Sequence, residues 1–432
     1  MPTRPASGPP EDSPDQPMSE RVLAAAEQFF ATRVSPAAAA AIAADFSRHP
    51  GPKQGLVVGA GPGAPVLTAA IDALSPDDSL TVVAGAATED VRSQVRLAGA
   101  WVAARVRVVE SLADAPEPAD AVLVAEPLTG GADDARAQLE TLGKHLRPGA
   151  VLSVAVPAAP FLAGGAGEEL SRQETLFGVG SDVVLRTMPP LRVHRLRYTP
   201  AETALAARLA PLARTSSVQL TPGMNIDSNG VAAAAICVGA AMALRRLGRR
   251  KLSWLPALAA APVAAFFRDP HRDVPTDSDV IVAASDGKVL SVETVRDDRL
   301  GPDEFLRIAV FLSVLDVHIN RAPVAGRVVD HFVVDGGFAA AMKPEAEHNV
   351  AAYTVLDTTR GVVAVAQRTG LIARRIVQRA PVGALLAKGE RFGLIRFGSR
   401  TDVYLPADRV EPLVDLGDRA IGGETAIARW TA

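Results

Sequence analysis

Hydrophobic positions change their rhythm along this chain, and each rhythm predicts a different architecture. Residues 18–48 repeat apolar positions at helical spacing and predict one or two alanine-rich helices. Gln54-Gly-Leu-Val-Val-Gly-Ala-Gly-Pro-Gly-Ala64 is an apolar strand that runs into a glycine-rich turn, with a helix expected from Pro65 to Leu74. Further short apolar runs at Leu80–Val83, Ala121–Val124 and Val151–Val156 are separated by helical patterns. Strands alternating with helices imply a parallel sheet covered on both faces, an α/β Rossmann-like domain over 18–200.

A composition break follows at 201–229, read as a linker. Beyond it the chain turns apolar through Val231-Ala-Ala-Ala-Ala-Ile-Cys-Val-Gly-Ala-Ala-Met-Ala-Leu244 and again from Leu255 to Phe267. The basic block Arg245-Arg-Leu-Gly-Arg-Arg-Lys251 separates the two runs. Each run is shorter than the ~20 residues of a spanning helix. Two buried helices would fit, as would two tilted spans. The favoured reading over 230–268 is a membrane-associated helical hairpin dipping into one leaflet, its arginines and Lys251 against anionic headgroups and Trp254 at the interface. From about 275 the rhythm becomes short and alternating: Val280–Ala283, Gly287–Val295, Arg307–Leu312, Gly326–Val334, Ala352–Leu356 and Val362–Gln367. Glycine and proline punctuate these runs, which predicts a compact, mainly β, antiparallel domain over 269–432.

Composition adds limits. The 432 residues suffice for two or three domains, and 48% hydrophobic content suffices for packed cores. A net charge of −3 argues against a general polyanion binder, so nucleic acid is not an expected partner. Cys237 is the only cysteine and cannot form an intrachain disulfide. Residues 1–17 are rich in proline, serine and acids, lack an apolar core, and are expected to form a disordered tail rather than a signal peptide.

Candidate chemistry gathers near the C-terminus, where Gly398-Ser399 sits inside the strand-like run Phe392 to Pro406. A serine after glycine can attack its own backbone, because glycine has no side chain to block its carbonyl and tolerates strained φ/ψ. By itself the dipeptide is common in loops. Upstream lie Phe266-Phe-Arg-Asp-Pro-His-Arg272, Ala284-Ser-Asp-Gly-Lys-Val289, Phe311-Leu-Ser-Val-Leu-Asp-Val-His-Ile-Asn-Arg-Ala-Pro323 and Gly370-Leu-Ile-Ala-Arg-Arg-Ile376, and downstream Gly422-Gly-Glu-Thr425. In this order the motifs resemble the phosphatidylserine decarboxylase proenzymes of the short class, over roughly residues 216–432.

That resemblance implies cleavage between Gly398 and Ser399 into chains 1–398 and 399–432, and a pyruvoyl group derived from Ser399. A pyruvoyl carbonyl is an electron sink that no ordinary side chain offers. It implies His318 as the base and Asp286 as the carboxylate that orients its ring, ahead of the nearer Asp316. Arg321, Arg396 and Arg400 are candidates to hold the substrate's carboxylate or phosphate. Longer members carry a second histidine where Arg321 stands, so His318 has to be considered for both processing and decarboxylation, and no metal is called for. The expected function is decarboxylation of phosphatidylserine to phosphatidylethanolamine at the cytoplasmic side of the cell membrane, by a peripheral or monotopic enzyme. A related serine-headed lipid as substrate, a homo-oligomer, and an uncleaved scaffold remain open.

The Gly59-Ala-Gly-Pro-Gly63 loop and the Leu146-Arg-Pro-Gly-Ala-Val-Leu152 pattern resemble class I S-adenosylmethionine methyltransferases, with Gly59, Gly61 and Gly63 as the cofactor-binding candidates. Where that family has an acidic residue for the ribose hydroxyls, this chain reads Ala84-Gly-Ala-Ala87. The alternatives are an active methyltransferase making the protein bifunctional, a cofactor-free relic, or another nucleotide binder.

Overall fold

The computed structural model describes residues 34–115, 118–212, 217–371, 375–395 and 399–431. The tail expected at 1–17 and the candidates Arg396 and Gly398 lie outside the described residues. A seven-stranded sheet organises the N-terminal half: β1 Gln54–Val58, β2 Ser79–Val83, β3 Val106–Val109, β4 Ala119–Val124, β5 Leu146–Pro157, β6 Gly178–Val184 and β7 Leu191–Leu196. Its spatial order is β3-β2-β1-β4-β5-β7-β6, parallel through β5, with β7 antiparallel to β5 and to β6. Successive residues serve opposite faces. Val57 and Leu123 join one core with Ile42, Val66, Leu67 and Val91, while Leu56, Val122 and Leu152 join another with Leu139 and Leu170. Both faces are therefore covered by helices, as expected of a doubly wound sheet.

The apolar pattern located β1, β2, β4 and β5 but passed over β3, β6 and β7. β7 reads polar because its charges are buried in pairs: Arg195 lies 2.9 Å from both Asp45 and Asp182, and His194 lies 2.9 Å from Glu174. The expected linker also has structure of its own. Strands Val218–Thr221 and Met224–Ile226 form a small antiparallel sheet with Arg268–Pro270. That sheet ties together the two ends of a helical hairpin, Ser228–Arg246 and Arg250–Phe266. The helices outrun the apolar stretches because the flanking arginines are helical too. Ile236, Met242, Leu247, Trp254, Leu255 and Leu258 stand exposed on the hairpin. Ser228–Arg246 is long and apolar enough to cross a membrane, by length and composition.

The C-terminal part is antiparallel. An eight-stranded sheet runs in the order Leu385–Leu386, Gly326–Val334, Ala351–Thr358, Gly361–Arg368, Ser399–Pro406, Glu304–Leu312, Gly287–Arg296 and Arg419–Ala420. A three-stranded sheet, Ile319–Arg321, Arg391–Ile395 and Ile376–Gln378, lies within the same unit. The two halves of the chain meet through Arg48, 2.5 Å from Glu390, and through Arg197, which donates to the Gly383 carbonyl at 2.7 Å.

Strand Ser399–Pro406 is buried on both faces, and its faces differ. Val403 and Leu405 enter the apolar core, whereas Arg400 and Asp402 enter an ionic cluster on the reverse side. Asp402 accepts from Arg368 Nε at 2.7 Å and from Arg400 Nε at 2.6 Å, and Arg368 also donates to the hydroxyls of Tyr353 and Tyr404, each at 3.0 Å. Burial alone would raise the Asp402 carboxyl, but the two guanidinium groups outweigh it and hold the acid below its usual range. Removing one partner from a buried ion cluster strands the others, so Asp402→Ala should cost about 3–5 kcal/mol of stability. Thermal unfolding of the full-length protein, followed by the near-ultraviolet signal of its tyrosines, would show this as a lower melting temperature; an unchanged transition would contradict it.

Candidate active site

Period-two alternation puts Ser399, Thr401, Val403 and Leu405 on one face of their strand. Ser399 is fully buried, stands opposite Leu312 in register, and its Oγ has no hydrogen-bond partner among the described residues. Thr401 Oγ1 lies 2.6 Å from Ser285 Oγ, and both hydroxyls are fully buried.

From Leu312 the chain turns through 313–316, where the Asp316 carboxylate accepts from the Ser313 N–H at 2.7 Å and pairs with Arg419. His318 follows, buried, immediately before strand Ile319–Arg321. Its main-chain carbonyl accepts from Ile395 N–H at 3.2 Å, and Asn320 pairs with Gly393 one step further along. Passing from Asn320 to His318 thus follows the neighbouring strand from Gly393 to Ile395, toward the segment that leads into Ser399. His318 is buried beside the strand Arg391–Ile395, and the equally buried Ser399 opens the next strand in the chain.

The imidazole is held from two sides. Its Nδ1 lies 2.8 Å from the Asp316 carbonyl, and its ring packs on Phe266 with centroids 4.3 Å apart. A carbonyl only accepts, so Nδ1 carries the proton and Nε2 carries the lone pair. Burial pushes the imidazole down to about 4, against the raising influence of the Asp316 hydrogen bond and of the Asp316 and Asp286 charges. Phe266 ends the second hairpin helix, so the hairpin reaches the site directly.

Asp286 was expected to orient this ring. Its carboxylate instead accepts from Arg272 Nη2 at 2.9 and 2.8 Å and from Gly422 N–H at 2.8 Å, and it reaches the imidazole only through its charge. Ring orientation comes from a main-chain carbonyl because the 313–316 turn delivers Asp316 there. The Asp286 contacts explain why three distant motifs converge. A Cβ on Gly422 would meet Ser285 Cα at 3.0 Å, and one on Gly423, at φ +83°, would meet Arg321 Cδ at 2.8 Å.

Two of the three candidate arginines are engaged elsewhere. Arg321 is buried, donates to Asp269 at 2.8 Å and to the Pro270 and Gly389 carbonyls at 3.1 Å each, and burial holds its guanidinium down to about 10. Arg400 points away from Ser399 into the ionic cluster described above, as strand alternation demands. Sequence reasoning assigned no part to Phe266, Ser285, Asn320, Gln367 or Thr401. All but Gln367 fall in or beside the motifs, whereas Gln367 is brought in only by its register opposite Thr401.

In the N-terminal half, Gly59, Gly61 and Gly63 follow β1 where the strand order reverses, between β1 and β4, and line a cleft with Glu126 and Thr129. Gly59 and Gly63 take φ values of +77° and +74°, open to glycine. The Gly63 N–H is already engaged by Gln94 Oε1 at 2.8 Å. β2 ends at Val83 and runs into Ala84 and the turn Gly85–Ala87, with no carboxylate at that position.

A family model described as phosphatidylserine decarboxylase matches residues 260–428. The phosphatidylserine decarboxylase proenzyme of Geotalea uraniireducens is 46% identical over 167 residues, covering 38% of this chain and 78% of that protein. That of Symbiobacterium thermophilum is 49% identical over 166 residues, covering 38% and 77%. Among solved structures, the O-methyltransferase TomG from Streptomyces achromogenes is 19% identical, covering 42% of this chain and 91% of its own, with a TM-score of 0.28. An O-methyltransferase from Bacillus cereus is 15% identical, covering 41% and 90%, with a TM-score of 0.30. Over its C-terminal part, and with most of its relatives' length accounted for, this chain belongs to the phosphatidylserine decarboxylase family.

Proposed function

We propose that the chain cleaves itself between Gly398 and Ser399 and decarboxylates phosphatidylserine to phosphatidylethanolamine and CO₂ through a pyruvoyl group made from Ser399. The observation that carries this reading is a fully buried serine hydroxyl without a partner among the described residues, in a unit that also holds a buried, oriented histidine. Leaving such a group unpaired costs about 1–3 kcal/mol, so a role beyond packing is expected of it.

His318 Nε2 takes the Ser399 Oγ proton while Oγ bonds to the carbonyl carbon of Gly398. The bond between that carbon and the Ser399 nitrogen then breaks, and a proton passes to nitrogen, leaving an ester. Removal of the Ser399 Cα proton expels the Gly398 carboxylate, and water replaces the nitrogen, released as ammonia. The carbonyl so formed supplies the electron sink for loss of the substrate's carboxylate. Ser285 and Thr401 line the same face, Phe266 and the Asp316 carbonyl keep the imidazole in place, and Asp286 holds the surrounding segments together and favours the imidazolium by its charge.

Residues 1–398 and 399–432 remain one folded unit after cleavage, because strand Ser399–Pro406 is central in its sheet. The domain division follows the rhythms of the sequence: an α/β unit over 18–200, the hairpin at 230–268 and the decarboxylase unit from 269. The exposed apolar side chains of the hairpin and the five basic residues at its tip support membrane association through an anionic surface.

S-adenosylmethionine does not fit the N-terminal cleft as it stands, since the ribose carboxylate is absent and one loop N–H is engaged. Labelled S-adenosylmethionine should therefore not bind the full-length protein in equilibrium dialysis at micromolar concentrations; saturable binding would restore the bifunctional reading.

Ser399→Ala should run as a single uncleaved band on denaturing gels and release no CO₂ from phosphatidylserine vesicles. Cleavage or turnover in that variant would end the proposal. The depressed imidazole makes a second test. His318 stays neutral until the pH falls toward about 4, so the acid limb of kcat/KM should lie well below the ordinary histidine value of 6.5. The same shift ties stability to pH: the neutral histidine's contribution is complete above 6.5 and is lost between 6.5 and about 4 as the pH falls. A pH–rate profile with its acid midpoint at 6.5 would contradict this assignment.

A further inference from the structure

Self-cleavage leaves part of the buried polar layer without a task. Gln367 stands opposite Thr401 in register and donates through Nε2 to Asn320 Oδ1 at 2.6 Å. Both amides are fully buried, and Asn320 lies two positions after His318 in the chain. Gly393, the register partner of Asn320, lies directly beneath. A Cβ there would meet the Val377 carbonyl at 2.7 Å and Gln367 Nε2 at 3.1 Å, so only glycine lets the amide lie on the backbone.

Beyond their mutual bond, Asn320 Nδ2 and Gln367 Oε1 have no partner among the described residues. Turning both amides about exchanges which residue carries which atom, yet one N–H donor group and one carbonyl acceptor remain unpaired. Two orphaned groups side by side are costly, and an apolar pair would suit stability better. A donor beside an acceptor is the complement of a carboxylate beside an amine-derived N–H, which is what a serine headgroup presents.

Charge points the same way. Arg321 and Arg400 are engaged with Asp269 and Asp402. A neutral amide is also the better holder for a carboxylate about to leave as CO₂. A full positive charge would stabilise the ionised ground state more than the neutral product forming in the transition state, and so raise the barrier.

We propose that the Asn320–Gln367 amide pair positions the serine headgroup, its unpaired N–H donating to the substrate's carboxylate and its unpaired carbonyl accepting from the substrate's nitrogen. This rests on the reading that Ser399 becomes the reactive carbonyl. The pair acts on substrate geometry and selectivity, and not on processing.

The test separates the two claims. Intact mass of the full-length parent protein, before and after hydroxylamine, reports cleavage and the carbonyl; a parent without a hydroxylamine-reactive small chain would remove the underlying reading. For the inference, Asn320→Leu/Gln367→Leu replaces both amides by apolar groups. It should melt no lower than the parent, cleave fully and carry the carbonyl, yet lose about 10- to 100-fold in kcat/KM on phosphatidylserine vesicles, the worth of one hydrogen bond to a charged group. Glycerophosphoserine should compete better than glycerophosphoethanolamine against the parent, and the two should compete equally against the double variant. A processed double variant that keeps that preference, or one that melts lower and fails to process, overturns the inference by making the pair structural or irrelevant. Asn320→Asp, nearly isosteric, gives an independent check: its added negative charge should reverse the preference toward glycerophosphoethanolamine, and an unchanged preference in the processed protein overturns the proposal equally.

Discussion

The arrangement of the C-terminal part depends on the two-residue alternation of one buried strand, Ser399–Pro406. Because neighbours on a strand face opposite ways, Ser399 and Thr401 can look into a polar layer only if Arg400 and Asp402 look into the other side. A buried arginine there requires a buried partner, and Asp402, shared with Arg368, supplies it. A slip of one residue would send two charges into the apolar core of Val403 and Leu405 and carry Ser399 to the opposite face. The ionic cluster is thus a register device: it specifies where residue 399 sits without touching the chemistry. After chain cleavage, when 399 would become a terminus, that anchoring is what would keep it in place.

Around this strand, the remaining candidate residues arrive by different means. His318 comes from a turn capped by Asp316, Phe266 from the foot of the helical hairpin, and Asp286 and Arg272 from segments drawn together by glycines that leave no room for side chains. The contact between Phe266 and the imidazole ties the helical hairpin, with its exposed apolar side chains, to a buried histidine. A hairpin that shifted relative to the β unit would loosen the ring's packing, which gives the fold a direct mechanical link between the expected membrane element and the site.

Inside the N-terminal half the same physical logic yields a different outcome. Its doubly wound sheet places a glycine loop where such sheets commonly bind ligands. One loop N–H is engaged by a side chain, and the neighbouring strand runs into alanine and glycine. Arg48 and Arg197 meanwhile reach across to Glu390 and to the Gly383 carbonyl. These contacts give the half a part in bracing the β unit.

Apolar periodicity determined a good deal on its own: β1, β2, β4 and β5 of the first sheet, the two hairpin helices, and the alternating strands from Val280 to Gln367. Ordered motifs singled out Ser399, His318 and Asp286 as candidates, since motifs of that kind are written in consecutive residues. Tertiary structure decided what consecutive residues cannot express. β7 was hidden because Arg195 and His194 are buried in pairs with distant Asp45, Asp182 and Glu174. The Asp316 main-chain carbonyl, not a carboxylate, holds the imidazole, because a turn's geometry and not its composition aims that group. Arg321 and Arg400 proved engaged with aspartates, and Gln367 entered the layer through register alone. Charge pairing and cross-strand register depend on which segments meet in space, and a linear pattern of apolar and polar positions carries no record of that.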